Sequence, residues 1–393
     1  MATAVLDIDI ARLPPDVRGL DCYSRALILI RLHGRPVGQT TVPVINGRVG
    51  GPELREALIE AAGWRLWEQW LHNRLEWDER PASPTLPSAT VAVCTRDRPE
   101  DLRRCLDALL RLPDDGQELL VIDNCPATED TRRLVERYSS VRYVRENTPG
   151  ASAARNRAIR EACHEIIAFS DDDAAPDSGW LRAILRNFHD PLVLCVTGLT
   201  MPLELETEAQ EWFERHSPFG RGFKRFMLDG GDSNPLYVAR AGTSANMALR
   251  RAVREYVGFF DEALGPGTRS RTGEDFDMFL RILTSGYRIV YDPAALSWHR
   301  HRRTWKELRT TLHGYGVGVY AFLTRSLLVE REIAAPLICW GWFRYVQFPA
   351  LARSLLRRPE RKPLDLLFAE LAGCLVGPWA YFASRRQLRR RSW

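Results

Sequence analysis

The chain of 393 residues lacks the features that mark several common classes of protein. Its eight cysteines form no C-x-x-C pair, which argues against a disulfide framework or a zinc site. Its first residues lack a basic segment followed by a long apolar one, so we expect no secretory signal and predict a cytoplasmic protein. No apolar run reaches the roughly 18 uninterrupted residues expected of a membrane-spanning helix.

Charge is small in total, at +5, but basic residues are concentrated near the C-terminus. They alternate there with Trp, Phe and Leu, and the mixture is typical of interfacial amphipathic helices. We therefore predict that a helical region, 306–393, attaches the protein to the cytoplasmic face of the membrane. The alternatives are a soluble helical domain or a dimer interface. No nucleic-acid partner is expected, and the oligomeric state is left open. The basic residues are Arg353, Arg357, Arg358, Arg361, Lys362, Arg385, Arg386, Arg389, Arg390 and Arg391.

An N-terminal domain of α+β class is predicted for residues 1–85. The segments 25–33 and 39–45 have the composition of two strands of a β-hairpin around a Gly/Pro turn. The segment 53–75 carries its apolar residues at helical spacing. Three prolines in 80–88 indicate a stiff linker that ends this domain.

Residues 86–305 are predicted to form the catalytic domain, of α/β class. Strands and helices alternate here at a spacing that implies βαβ units and a mostly parallel, Rossmann-like sheet. Ligands of such sheets lie at the carboxyl ends of the strands. Polar segments occur where three predicted strands end: Thr95–Pro99, Asp123–Asn124 and Asp171–Asp173.

The acidic triplet Asp171–Asp173 follows a short apolar strand, Ile166–Phe169. Carboxylates placed so close together raise each other's pKa unless a cation compensates them. Oxygen ligands of this kind suit Mg²⁺ or Mn²⁺, which bind through one or two carboxylates together with substrate phosphates. The triplet therefore predicts a metal site for a diphosphate. The alternative is an acidic turn that caps the next helix.

Polar residues at the other strand ends suit a nucleotide. Asp123 can accept a hydrogen bond from a base N–H or a ribose hydroxyl, with an Asx turn as the alternative. Thr95, Arg96 and Arg98 can surround the base, and an arginine there can also reach phosphate. Arg155 and Asn156 lie near the start of a helix directed at the same rim, or are helix-surface residues.

Six ordered motifs between residues 90 and 302 resemble those of the family 2 glycosyltransferases, the inverting enzymes with a GT-A fold. This resemblance implies transfer of a sugar from a nucleotide-diphosphate donor to a glycan, lipid-linked or small-molecule hydroxyl acceptor, with Mn²⁺ or Mg²⁺ as cofactor. The matching residues are Thr95 to Arg98, Asp123-Asn124, Asn147 to Gly150 with Arg155-Asn156, Asp171-Asp172-Asp173, Gly242 to Asn246 with Asp261, and Glu274-Asp275 with Asp277 and the later His299.

The resemblance also implies a role for each residue. Asp171 and Asp173 would bind the metal with His299, although His301 is a rival. Asp275 would be the general base, assisted by Glu274, whereas carboxylates that cap a helix are the alternative. The donor would contact Thr95, Arg96, Arg98, Asp123, Asn147, Gly150, Arg155, Asn156, Asp171 and Asp172. The acceptor side would include Gly242, Asn246, Asp261 and Asp277.

Two other functions are alternatives to glycosyl transfer. A sugar-phosphate nucleotidylyltransferase needs a glycine-rich phosphate loop after its first strand, and the segment Thr95–Pro99 contains no glycine. A non-catalytic sugar-binding protein would not need the intact triplet or the pair Glu274-Asp275.

Overall fold

The structure is a computed structural model that describes residues 2–75, 86–232, 235–356 and 362–391. The predicted linker at 80–88 falls largely outside these residues. Arg357, Arg358 and Arg361 of the predicted basic region also lie outside them.

The N-terminal unit is a three-stranded sheet covered by one long helix. Strand β2 (Arg25–Leu32) lies between β1 (Thr3–Asp9), which is parallel to it, and β3 (Arg35–Pro43), which is antiparallel, and helix α1 spans Gly51–Arg74. The strand β1 has no counterpart in the sequence-based prediction. The predicted hairpin is present, but its turn is shorter than expected. His33 and Gly34 both have positive φ, 49° and 78°, as in the two-residue turns that suit the strand twist.

Alternation along β2 explains how this unit contacts the rest of the protein. Ala26, Ile28 and Ile30 pack toward α1, whereas Leu27 and Leu29 join a cluster with Leu199, Met201 and Leu296 of the larger domain. Because successive side chains of a strand face opposite sides, one strand serves both cores.

A nine-stranded sheet flanked by helices forms the larger domain. The strands follow the order β10-β12-β9-β11-β7-β4-β5-β6, with β8 paired to β12. Strands β7, β4, β5 and β6 are parallel, whereas β11 runs antiparallel to both of its neighbours. The elements are β4 (Ala89–Thr95), α2 (Pro99–Leu109), β5 (Glu118–Asn124), α3 (Asp130–Val135), β6 (Val141–Glu146), α4 (Ala151–Glu161), β7 (Ile166–Asp171), β8 (Ala174–Pro176), α5 (Trp180–Leu185), β9 (Val193–Pro202), α6 (Glu208–His216), β10 (Phe226–Leu228), β11 (Asn246–Arg250), α7 (Val253–Tyr256), α8 (Glu274–Thr284) and β12 (Arg288–His299).

Both faces of this sheet are buried. In β4, Val91 and Val93 belong to the core on one face and Ala92 to the core on the other. Strands buried on two sides are apolar throughout rather than alternating, which is why β7 appears in the sequence as the continuous run Ile166–Phe169. The α/β class and the mostly parallel central sheet predicted from the sequence are confirmed.

The C-terminal region is helical, as predicted. It contains α9 (Trp305–Leu328), α10 (Ala335–Trp342), a π-helical segment (Phe343–Gln347), α11 (Phe348–Leu355) and α12 (Leu364–Arg391). Helices α9 and α12 approach each other very closely because glycines face across their interface. A Cβ placed at Gly316 of α9 would lie 2.9 Å from the Cys374 backbone nitrogen, and one at Gly373 of α12 would lie 2.9 Å from the Val317 backbone nitrogen.

Apolar side chains are exposed on the outer side of these helices. Leu337, Trp340 and Tyr345 are 72%, 59% and 71% exposed, and Leu375 and Trp379 of α12 are 79% and 76% exposed. Within the described residues, the segment Leu364–Arg390 is long and apolar enough to cross a membrane by length and composition, although 39% of its apolar window is buried inside the protein. The prediction concerned uninterrupted apolar runs, and polar residues do interrupt α12, but they do not lower its mean hydropathy enough to exclude a spanning length.

Candidate functional site

The ends of β7 and β12 bring two carboxylates and an imidazole together. Strand β8 follows the triplet and pairs with the end of β12, so that His299 lies opposite Ala174. The imidazole Nε2 is 3.0 Å from Asp173 Oδ1 and 3.9 Å from Asp171 Oδ2. One ligand atom from each of the three residues fits within a 4.8 Å span. The two carboxylates are donors that suit Mn²⁺ or Mg²⁺, so they fit the expected cation, and the imidazole lies within reach of the same site.

Charges around Asp173 keep it ionised. Burial opposes ionisation, but His299 and two arginines outweigh it and hold the pKa of the Asp173 carboxyl well below its ordinary value. Asp173 in turn raises the pKa of His299 against the effect of burial. His301, the rival ligand, lies elsewhere: its Nε2 is 2.9 Å from Glu214 Oε2, and its ring packs on Phe213. The structure thus brings His299, and not His301, to the triplet.

Asp172, the middle residue of the triplet, is held by two residues predicted to contact the base. The Thr95 hydroxyl donates to Asp172 Oδ2 at 2.7 Å, and Arg98 donates to Oδ1 at 3.1 Å. Arg98 also lies 3.3 Å from Asp173 Oδ2. Burial nevertheless raises the pKa of Asp172 to about 7. Thr95 and Arg98 therefore position the triplet in this structure, whereas Arg96 is a half-exposed residue beside Asp97.

Asp123 is fully buried at the end of β5, next to Thr95 in the sheet register. The Tyr143 hydroxyl donates to its Oδ2 at 2.9 Å, and its Oδ1 has no hydrogen-bond partner among the described residues. Burial raises the pKa of Asp123 to about 6. An unpartnered buried oxygen at a strand end is suited to a ligand N–H or hydroxyl, and the carboxylate forms no Asx turn. Tyr143 was not predicted, because nothing in its surroundings marks it.

The loop that begins α4 is held by Asn124. Its Nδ2 donates to the Thr148 carbonyl at 2.7 Å, and its Oδ1 accepts from the Gly150 N–H at 2.9 Å. Gly150 has a φ of 135°, which favours glycine. Asn147 is exposed and accepts a hydrogen bond from Arg145.

Arg155 connects the triplet to the start of α8. Its side chain is buried, donates to Glu274 Oε1 at 2.8 Å and to the Ser244 hydroxyl at 3.0 Å, and lies 4.0 Å from Asp171 Oδ1. Burial raises the pKa of Glu274 to about 7, and Arg155 opposes this rise. Arg155 is therefore not a helix-surface residue, because its charge is enclosed and paired.

Asp275 is the first-turn carboxylate of α8 that remains partly accessible. Its Oδ2 accepts from the Ser244 N–H at 3.4 Å, and its Oδ1 accepts from the Phe276 N–H at 2.9 Å. Burial raises the pKa of Asp275, and the nearby Arg155 opposes the rise. A carboxylate with few internal partners and a raised pKa is chemically suited to accept a proton.

Five predicted site residues form hydrogen bonds, ion pairs or close packing contacts with other residues inside the protein. Asn246 accepts from the Trp180 indole and donates to two carbonyls, and Asn156 bonds to the backbone of Phe260. Asp277 pairs with Arg281 and Arg325, and Arg325 also binds Asp261. A Cβ at Gly242 would lie 2.9 Å from Thr197. Their predicted contacts with donor or acceptor stay predictions, while the contacts present support the fold around α8.

A cavity of about 950 Å³ adjoins the triplet on the side of the C-terminal helices. Asp171 and His299 lie in its wall, together with the loop that precedes α8, the residues that follow β12, and faces of α9 and α12. Apart from Asp171, His299 and His301, sequence reasoning assigned no site residue to this region. The only signal in the sequence was the glycine- and arginine-rich composition of 265–273.

Comparisons with known proteins show which family this chain resembles. The sequence model described as "Glycosyl transferase family 2" matches residues 90–258. The chain is 28% identical over 266 residues to the "Pre-mycofactocin glycosyltransferase" of Mycobacterium tuberculosis, covering 66% of this chain and 52% of that protein. It is 26% identical over 218 residues to "Succinoglycan biosynthesis protein ExoM" of Rhizobium meliloti, covering 52% of this chain and 64% of that protein.

A solved structure shows the same fold. The mannosyltransferase PcManGT of Pyrobaculum calidifontis, in complex with GDP-Man and Mn²⁺, superposes with a TM-score of 0.52 at 17% identity, covering 81% of this chain and 95% of that chain. At this identity the likeness concerns the fold alone. The chain spans about half the length of the mycobacterial relative that it matches.

Proposed function

We propose, from the membership of this chain in the family 2 glycosyltransferases with a GT-A fold, that it transfers a sugar from a nucleotide-diphosphate donor to a hydroxyl acceptor with inversion. The observation that carries the proposal is the ion-paired connection between the triplet and α8. Arg155 lies between Asp171 and Glu274, and Asp275 follows directly. A leaving-group site and a proton acceptor therefore adjoin each other. The comparisons do not favour a nucleotidylyltransferase or a non-catalytic sugar-binding protein.

Donor binding is assigned to the strand ends. Asp171, Asp173 and His299 would hold a divalent cation, which supplies charge neutralisation for the donor diphosphate. Thr95 and Arg98 fix Asp172 and hence the conformation of the whole triplet. Asp123 would accept from the base or ribose through the oxygen that Tyr143 leaves free.

Proton transfer is assigned to Asp275. In an inverting reaction the acceptor hydroxyl attacks the anomeric carbon from the face opposite the leaving group, and its proton must be taken up as it attacks. The Ser244 N–H and the start of α8 hold the carboxylate of Asp275 in one place. Glu274 keeps Arg155 in position and would act on Asp275 through charge.

The experiment that tests this proposal measures nucleotide release from UDP- and GDP-sugars with Mn²⁺ and, separately, nucleotide binding by calorimetry. We expect Asp275→Asn to lower kcat by roughly 10²-fold or more, as expected for a lost general base, with little change in nucleotide affinity. We expect Asp173→Asn, or EDTA, to abolish nucleotide binding. The exposed Asp130→Asn is a matched control that should change neither. Normal turnover of Asp275→Asn would refute the assignment of the base, and equal nucleotide affinity with and without EDTA would refute the metal site.

We also propose that the C-terminal helices bind the cytoplasmic face of a membrane. Leu337 and Trp340 of α10 and Leu375 of α12 are exposed apolar side chains. Arg344 lies in the π-helical segment, Arg353 on α11, and Arg385 and Arg386 on α12. Aromatic residues favour the headgroup level, and each basic residue near an anionic surface contributes about 1 kcal/mol. The close glycine contacts with α9 favour a helix α12 that lies against the protein over one that spans the membrane.

Liposome co-sedimentation tests the attachment. We expect binding to vesicles that contain phosphatidylserine, weaker binding at high salt, and loss of binding in Leu337→Ser/Trp340→Ser. The control Ile59→Ser/Trp64→Ser removes two exposed apolar residues from α1 and should bind normally. Equal binding of the two double variants, or no binding of the wild type, would support a soluble helical region instead.

A further inference from the structure

The N-terminal unit contacts both strands that meet at the candidate metal site. Strand β12 ends at His299, and the short strand β8 begins directly after Asp173. The two strands pair in antiparallel register, with Ala174 opposite His299. This pairing sets the distance of 3.0 Å between Asp173 Oδ1 and His299 Nε2. A residue that holds β8 against β12 therefore also determines the geometry of the metal site.

Arg31 of β2 connects the end of β8 to the N-terminal unit. Its Nη2 donates to Asp177 Oδ2 at 2.7 Å, four positions after Asp173. Its Nε and Nη2 also donate to the two carboxylate oxygens of Asp7, both at 2.7 Å. Its Nη1 donates to the Gly34 carbonyl at 3.0 Å. All three guanidinium nitrogens are engaged, so the side chain is fixed and holds Asp177 in one place.

The ion pair is largely enclosed. Arg31 is only 9% exposed. Burial opposes its charge, but Asp7 and Asp177 outweigh this effect and raise the pKa of the guanidinium above its ordinary value. Asp177 is also bound to its own surroundings, since its N–H donates to the Leu296 carbonyl of β12 and its Oδ1 accepts from the Gly179 N–H, both at 3.0 Å. Loss of Arg31 would leave two neighbouring carboxylates without a cation, and their repulsion would separate β8 from β2.

The same face of β2 packs on β12. Leu27 and Leu29 form one apolar cluster with Leu296, and Trp298 packs against this cluster directly before His299. Strand β2 thus contacts the β8 side of the metal site through an ion pair and the β12 side through apolar packing. Both contacts act on the pairing of these two strands.

We propose that Arg31 is a positioning residue of the metal site, through which the N-terminal unit takes part in the reaction. By holding Asp177, Arg31 keeps β8 in register with β12 and the Asp173 carboxylate in the position that binds the cation. The inference rests on the proposed function, which requires the cation, and it gives residues 2–75 a role in that function.

Mn²⁺ binding tests the inference. Electron paramagnetic resonance of free Mn²⁺ measures its dissociation constant in the presence of UDP or GDP, whichever the wild type binds. We expect Arg31→Met to weaken Mn²⁺ binding about tenfold, the lower end of the range for losing a residue that supports a metal ligand. Arg31→Lys should have an intermediate effect, because an ammonium group cannot bind both oxygens of Asp7 and reach Asp177 at once. The Mn²⁺ concentration for half-maximal turnover should rise by the same factor, whereas kcat at saturating Mn²⁺ should recover.

Two further variants separate this role from a general loss of contact between the units. Arg25 lies on the same face of β2 and pairs with Glu211 of α6 at 3.2 Å, away from β8. Arg25→Met should therefore bind Mn²⁺ as the wild type does. Asp177→Asn leaves the pair of Arg31 with Asp7 in place and removes only the charge at the end of β8. It should also weaken Mn²⁺ binding, and it replaces Arg31→Met in the test if circular dichroism shows that Arg31→Met does not fold.

The possible results distinguish this inference from the proposed function. Wild-type affinity for Mn²⁺ in Arg31→Met, or in Asp177→Asn if that variant stands in for it, would overturn the inference and leave the proposed metal site intact. Equal weakening by Arg25→Met would also overturn it, since contact between the units in general would then be responsible. A kcat that stays low at saturating Mn²⁺ would place the effect of Arg31 outside the metal site. A wild type that binds no Mn²⁺ would refute the proposed metal site, and this inference with it.

Discussion

The contact between α9 and α12 leads to a prediction in which two opposing effects can be compared. Gly316 lies in the middle of α9, and a Cβ at that position would overlap the carbonyl oxygen of Glu370 and lie 2.9 Å from the Cys374 nitrogen. Replacing glycine by alanine inside a helix gains about 1 kcal/mol from helix propensity alone. The added methyl group meets backbone atoms of α12, which cannot rotate away.

The cost of this overlap should exceed the gain. Overpacking of a filled interface costs about 1–3 kcal/mol, and a backbone neighbour places this site at the upper end. We therefore expect Gly316→Ala to lower the free energy of unfolding by about 2 kcal/mol after the propensity gain is subtracted. For a cooperative unit of about 200 residues, this lowers Tm by roughly 4–8 °C.

The matched control is Gly63→Ala in α1, where the nearest atom to the new Cβ is a side-chain carbon at 3.7 Å. This variant should be about 0.4–1 kcal/mol more stable than the wild type. Circular dichroism melts and urea titrations of the wild type, Gly316→Ala and Gly63→Ala, all at one protein concentration, measure these changes in stability. If Gly316→Ala melted at or above the wild-type temperature, α12 would not lie against α9 as the structure shows, and the argument for a helix held at the surface would fail.

Three further predictions concern the domain around the site. Burial raises the pKa of Glu274 to about 7 from an ordinary value of 4.5, so the folded state binds more protons than the unfolded state between these pH values. The free energy of unfolding should therefore fall as pH rises from about 4.5 to 7. Urea titrations at several pH values should show a weaker pH dependence of stability for Glu274→Gln, and an unchanged dependence would contradict the raised pKa. Asn246→Ala leaves the Trp180 indole and two carbonyls without partners. It should lower the free energy of unfolding, measured in urea, by about 2–3 kcal/mol, whereas the exposed Asn147→Ala should hardly change it. Equal losses in the two variants would refute the buried network. Asp123→Asn should weaken binding of the preferred nucleotide by about tenfold in calorimetry while the protein remains folded, and unchanged affinity would remove Asp123 from the donor site.

The local pattern of the sequence was sufficient to predict the parallel strands of the sheet. The continuous apolar run Ile166–Phe169 and the acidic triplet after it predicted a strand that ends in a polar site. The structure explains the run, because β7 is buried on both faces. The same reasoning failed for β1, and the turn at His33–Gly34 was assigned too many residues. A strand without a turn motif beside it gives too weak a signal, and the two-residue turn was extended too far because Pro36 and Gly38 follow it.

Which residues meet was decided by the tertiary structure. Arg155 and Glu274 are 119 positions apart, and their pairing depends on α4 and α8 packing against the same sheet. His299 and His301 are equivalent in the sequence, but the pairing of β8 with β12 places one beside Asp173, while Glu214 binds the other. The residue types of the site and their strand ends thus follow from local patterns. Their partners depend on strand order, register and helix packing, which are set by burial of the whole chain and not by any segment of it.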